Sequence, residues 1–151
     1  MIKQLFTIIF LSVIFSLSIQ AQNTETAKQK SLYERLGGAD GIALLVDDIV
    51  DAHMKNPAIK ERFLPYKDQP EHLKTIKKNI RDFLGGGTGG PEQYKGKDMP
   101  AAHKGMKITA EEYLAVVDDI LSTMDKHNLG EQTKKDILAI VYSLKDHIIM
   151  Q

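Results

Sequence analysis

Apolar residues recur at helical spacing along most of the chain beyond residue 30. Ile42, Leu45, Val46, Ile49, Val50 and His53 fall in steps of three and four, which places one stripe on one helix face. A second run, Leu73, Ile76, Ile80, Phe83 and Leu84, alternates with Lys74, Lys77, Lys78 and Arg81, giving an amphipathic helix with a cationic outer face. A third run carries Tyr113, Val116, Val117, Ile120, Leu121 and Met124, and a fourth Ile137, Leu138, Val141, Leu144 and Ile148. No run alternates with period two, so the pattern predicts an all-α chain.

Local signals mark the helix ends. Ser31 and Thr109 each stand three residues before a glutamate, as in a capping box. Gly37-Gly38 ends the short helix that Ser31 opens, and Asp40 is the expected cap of the next. Asn56-Pro57 stops that one. Gly85-Gly86-Gly87 is expected to end the cationic helix, because consecutive glycines make continued helix costly. From Gly85 to Lys107 the periodicity is weak, and a long irregular segment inside a small domain is often functional.

The N-terminus is different. Met1–Ala21 has one cation, Lys3, then an apolar stretch from Leu5 to Ile19 and a small residue at position 21. The expectation is a secretory signal peptide, with an uncleaved N-terminal anchor as the alternative. Residues 22–30 read as a flexible lead-in and 31–151 as one domain. Cleavage would direct the protein to the periplasm or the exterior.

Charge and cysteine content narrow the chemistry. The chain balances 20 basic against 20 acidic residues, which gives no general attraction to nucleic acid or acidic membranes. It has no cysteine, which excludes disulfides, thiolate nucleophiles, cysteine-bound zinc and cysteine-held iron–sulfur clusters. No H-E-x-x-H, phosphate loop or dinucleotide fingerprint occurs. The adjacent carboxylates Asp47-Asp48 and Asp118-Asp119 point to different helix faces, unlike a paired acid–base site.

Of the five histidines, His103 stands apart. Ala101 and Ala102 precede it in Met99-Pro-Ala-Ala-His-Lys-Gly-Met, so its imidazole can approach a large flat ligand without crowding. A lone histidine in such a segment is more often a surface residue than a ligand, and the surrounding sequence has to decide.

That surrounding sequence resembles the group I truncated haemoglobins over about Ser31 to Ile148. The resemblance is carried by Ser31-Leu-Tyr-Glu-Arg-Leu-Gly-Gly38, Gly89-Gly-Pro-Glu-Gln-Tyr-Lys-Gly96, Asp98-Met-Pro-Ala-Ala-His103, and Ile108-Thr109 followed by Tyr113, in that order and spacing. It implies a shortened globin, two helices over two, around non-covalent haem b. A covalent link through C-x-x-C-H is excluded. By the same resemblance His103 is the proximal iron ligand, with a backbone carbonyl the expected acceptor for its other ring nitrogen. Phe63 matches the aromatic residue on the haem face. Val50, Ile76 and Ile80 match the distal positions, and Tyr94 and Ile108 also fall at the cofactor. The implied partner is a diatomic gas (oxygen, nitric oxide or carbon monoxide), with a reductase as a further candidate.

The distal side departs from the family, which commonly places Tyr at the Val50 position and polar residues such as Gln at those of Ile76 or Ile80. Loss of a donor to a polarised ligand costs about 1.5–3 kcal/mol, or about ten- to hundredfold in affinity. This predicts weak holding of oxygen and a bias toward less polar gases. An internal sixth ligand is a competing reading, with His72, Lys77 and Lys78 as candidates. His72 reads first as a surface residue, then as a propionate partner or a distal ligand, and His53 as a satisfied core or edge histidine. Two other functional classes stand beside gas binding: a haem redox enzyme acting on nitric oxide, nitrite or peroxide, and a haem-free helical interaction module.

Overall fold

The computed structural model describes residues 29–151. The expected signal segment, Met1–Ala21, lies outside the described residues, as does the lead-in apart from Gln29 and Lys30, which are exposed and irregular. Eight α-helices follow: α1 Leu32–Arg35, α2 Gly38–Lys55, α3 Lys60–Phe63, α4 Pro70–Gly87, α5 Met99–His103, α6 Ala110–Lys126, α7 Glu131–Ser143 and α8 Lys145–Ile148. A 3-10 turn, Leu64–Tyr66, continues α3. Among the described residues the only β-type pairing is a single bridge between Ile108 and Ile149.

Both capping boxes form. Ser31 caps Glu34 and Thr109 caps Glu112, each glutamate reaching back to the cap's own backbone N–H. Gly37 (φ 88°) and Gly38 (φ 66°) are left-handed, which lets the chain reverse from α1 directly into α2. A side chain at Gly41 would collide with the Leu36 carbonyl, so the two helices meet at contact distance. Because α2 starts at Gly38, Asp40 lies inside its first turn, favourable to the helix dipole, instead of capping it.

The α2 stripe is the centre of the core: Ile42, Leu45, Val46, Ile49, Val50 and His53 are all buried. Complete burial of a side chain such as Ile42 or Val50 contributes about 1.5–3 kcal/mol. α2 packs against α4 on one side and against α6 on another, and α6 packs against α7. The result is one helix pair, α2 and α4, over a second, α6 and α7. Leu138, expected on the core face of α7, is exposed.

Three further sequence expectations are corrected. Gly85–Gly87 do not end α4; they form its last turn. The loop that follows presses onto this turn, where a Cβ on Gly85 would stand 2.5 Å from Glu92 Oε2 and one on Gly86 2.6 Å from the Glu92 carbonyl oxygen. The glycines are needed for that approach, and the packing offsets their low helix propensity. The stretch from Gly85 to Lys107 is not structureless throughout. Asp98 accepts from Ala101 N at 2.8 Å and caps α5, with Pro100 in its first turn. The last predicted helix is broken at Leu144 into α7 and α8, after which the chain turns to pair with the segment following α5.

Candidate functional site

His103 is the last residue of α5 and half-buried. Its Nδ1 lies 2.8 Å from the carbonyl oxygen of Met99, one helical turn back. A carbonyl can only accept, so Nδ1 carries the proton. In the neutral ring, Nε2 is then left as a free lone pair. The short helix thus fixes both the orientation and the tautomer of the ring, the usual condition of a metal-ligating imidazole.

The described residues contain no group of three or more His, Cys, Asp or Glu placed to hold a bare metal ion. A single oriented imidazole suits a metal whose other ligands come with a cofactor. Phe63, Ile76, Ile80, Phe83, Tyr94 and Ile108, the candidates for contact with a flat, largely apolar group, are each mostly buried but keep part of their surface exposed.

The expected site residues are distributed as follows. Val50 is fully buried in the α2 core, and Ile80 packs against the same cluster. Ile76 lies one turn before Ile80 on α4. Lys77 and Arg81, on the neighbouring row of that helix, instead reach Asp47 of α2 at 3.0 and 2.7 Å. Burial works against the Asp47 charge, but these two cations hold its pKa below the ordinary value. Phe63 ends α3 and meets the His53 ring at 4.8 Å. Tyr94 packs edge-on against Phe83 at 5.5 Å, joining the end of α4 to the loop before α5. Its hydroxyl donates to the Lys97 carbonyl, so only the ring is free for a cofactor. Ile108 lies in the segment after α5 and pairs with Ile149. His103 stands on α5, which packs against α8, whereas Ile76 and Ile80 stand on α4, which packs against α2 and the 3-10 turn.

The other basic groups have different partners. His72 is exposed and stacks on Tyr66 at 5.0 Å. Lys78 pairs with Asp82. His53 is the satisfied core histidine expected: Nδ1 lies 2.9 Å from Asp119 Oδ2, and Asn56 donates to the other Asp119 oxygen. Desolvation lowers the His53 pKa below 6.5, with Asp119 opposing it. Asp118 is exposed while Asp119 turns inward, as their adjacency requires.

Sequence reasoning did not identify the Met99 carbonyl, which becomes visible once residues 99–103 are helical and place it four residues before His103. It also missed Arg62, which reaches Met106 and Glu112 across 44 and 50 positions and has no local signature.

Two packed helix pairs, with one oriented imidazole on a short helix before the second pair, define a globin of the shortened type. Known proteins agree. The model of the family described as bacterial-like globin matches residues 31–150. A group 1 truncated hemoglobin of Tetrahymena pyriformis is 29% identical over 122 residues, covering 74% of this chain and 97% of the relative. That of Tetrahymena thermophila is 28% identical over 105 residues, covering 70% and 83%. The solved truncated hemoglobin from Tetrahymena pyriformis, Fe(III) form, superposes with a TM-score of 0.73 at 22% identity, covering 81% of this chain and all of that one. The 2/2 hemoglobin from Synechococcus sp. PCC 7002, in the cyanomet state with covalently attached heme, gives 0.67 at 24% identity, covering 78% and 94%. The chain belongs to the bacterial-like globin family. It is a haem-binding globin.

Proposed function

We propose that this globin holds haem b non-covalently through His103 and binds a diatomic gas on the opposite, apolar side. The observation that carries the reading is the 2.8 Å contact from His103 Nδ1 to the Met99 carbonyl, which leaves Nε2 free to ligate. When bound, haem supplies an iron with a coordination position left for the gas.

The chain's own residues do the rest. The Met99 carbonyl keeps the His103 proton at Nδ1. Phe63, Tyr94 and Ile108 supply apolar contact. Val50, Ile76 and Ile80 exclude water from the gas side and offer no hydrogen-bond donor. That composition favours nitric oxide or carbon monoxide over oxygen, and it lacks the acid–base group an efficient peroxidase needs. Electrons come from a separate reductase. The segment Met1–Ala21 directs the protein out of the cytoplasm, where it works in the periplasm or beyond; among the described residues no helix is long and apolar enough to cross a membrane.

The test is the optical spectrum of the protein with one equivalent of haem, ferric and ferrous, beside His103→Ala. A strong Soret band with five-coordinate ferrous haem, disrupted in the variant, is expected. A spectrum indifferent to His103 would overturn the reading. Extraction with acidified ketone tests attachment, and complete transfer of haem to the organic phase is expected.

A further inference from the structure

Residues 104–109 leave α5 directly after His103 and are held from two independent sides. One is Arg62 of α3. Its Nε and Nη2 donate to the two carboxylate oxygens of Glu112 at 2.8 and 2.9 Å, and its Nη1 donates to the Met106 carbonyl at 2.8 Å. Glu112 Oε2 also accepts from Thr109 N at 2.9 Å. One guanidinium therefore ties the backbone three residues after His103 to the first turn of α6 and to α3, whose last residue is Phe63. An ordinary exposed ion pair contributes little. This one is bidentate, carries a third bond to backbone and contains a Glu112 side chain only 20% exposed.

The other side is the stretch 149–151. Gly105 N and Lys107 N both donate to the Gln151 carbonyl, at 3.0 and 3.1 Å, and Met150 N donates to the Ile108 carbonyl at 3.0 Å. α8, which leads into this stretch, packs against α5. Lys107 (φ 48°) and Met150 (φ 59°) both adopt the left-handed conformation that side chains disfavour. Such strain persists only where surrounding contacts over-determine it. Here those contacts are the paired backbone bonds on either side of the Ile108–Ile149 bridge.

We propose that Arg62 and the Ile149–Gln151 stretch are positioning elements for His103: together they clamp the segment that leaves it and so set where its imidazole stands toward the cofactor. The proposal rests on the reading of His103 as the iron ligand. Their hydrogen bonds go to Met106, Glu112, Gly105, Lys107 and Ile108, not to Val50, Ile76 or Ile80. Their effect is on the bond between protein and cofactor, not on the choice of gas.

The experiment is resonance Raman of the ferrous, ligand-free holoprotein at the iron–histidine stretch, together with the rate of haem loss to an excess of apo-acceptor. Arg62→Met removes the fork, and Arg62→Lys keeps the charge but cannot bridge both partners. Met150→Pro removes the N–H and cannot adopt φ 59°, whereas Met150→Gly keeps the N–H and accepts that angle. Arg62→Met and Met150→Pro are expected to shift or broaden the band and speed haem loss about tenfold, the equivalent of one hydrogen bond. Arg62→Lys should shift the band in the same direction, and Met150→Gly should match wild type. An unchanged band in the Arg62 variants and Met150→Pro, with helix content intact by circular dichroism, overturns the proposal. His103→Gly, with and without imidazole, reads the underlying assignment separately. If the wild-type band survives in His103→Gly, the ligand reading fails and the clamp falls with it.

Discussion

The Met99 carbonyl oxygen and His103 Nδ1, 2.8 Å apart, join the two ends of the five-residue helix α5 through a side chain. The donor is the ring itself, so rotating the imidazole breaks the bond. His103→Gly is therefore expected to abolish the native ferrous spectrum, and free imidazole should restore a five-coordinate species without the native orientation. Titrating imidazole into the variant while following the Soret band checks this. A variant spectrum identical to wild type would remove His103 from the site.

A donor placed on the gas side should change ligand release. Ile80 is half-buried on α4, so Ile80→Gln can be accommodated. It is expected to slow oxygen dissociation about ten- to hundredfold, the value of one hydrogen bond to a polarised ligand. Val50→Tyr offers a similar group but enters a position with no exposure, and overpacking there costs about 1–3 kcal/mol. Stopped-flow oxygen release and urea unfolding separate the two effects. A wild-type release rate already slow, and unmoved in Ile80→Gln, would count against an apolar gas side.

Neighbouring glycines in α4 should respond with opposite sign. Alanine at Gly87 meets nothing within 4 Å, so Gly87→Ala should stabilise by about 0.4–1 kcal/mol. Alanine at Gly86 meets the Glu92 carbonyl oxygen at 2.6 Å, which is backbone and cannot swing away. Gly86→Ala should destabilise by about 1–3 kcal/mol. Denaturant midpoints of the two variants decide it, and equal shifts would argue against close seating of the loop.

Acid should act first through His53. Desolvation keeps its folded pKa below 6.5, so as pH falls through 6.5 the unfolded chain takes up a proton that the folded chain refuses. Stability is full above that value, declines below it, and stops declining once the folded ring also protonates. Glu112, held low by its hydrogen bond from Arg62, and Asp136, held low by Arg35, add their own losses only below the ordinary carboxylate range. Thermal midpoints at pH 7.5 and 5.5 should differ in wild type and converge in His53→Asn, which keeps a donor toward Asp119. Parallel curves for the two proteins would assign the acid sensitivity elsewhere.

What could be read in advance was local. The six positions of the α2 stripe and the boxes at Ser31/Glu34 and Thr109/Glu112 depend on residues within a turn or two, and all formed. The extension of α4 through Gly85–Gly87 could not be read, because it depends on Glu92 in the next loop pressing onto bare backbone. The break at Leu144 precedes a pairing with residues 105–108, almost forty positions earlier, which no local pattern announces. His103 could be singled out by resemblance, and its tautomer followed only once α5 was seen as a helix. Phe63, Val50, Ile76 and Ile80 were picked out by resemblance too, whereas the use of the Tyr94 hydroxyl within its own loop was not foreseen.

The pairing of residues 105–108 with 149–151 also orders events in time. A chain emerging from the ribosome presents His103 long before Gln151, and until residue 151 is free the amides of Gly105 and Lys107 have no Gln151 carbonyl to donate to. The histidine segment is therefore completed only after residues 149–151 have been made. A product truncated within α8 carries every side chain expected around the haem and still lacks one of the two restraints that hold His103 in place.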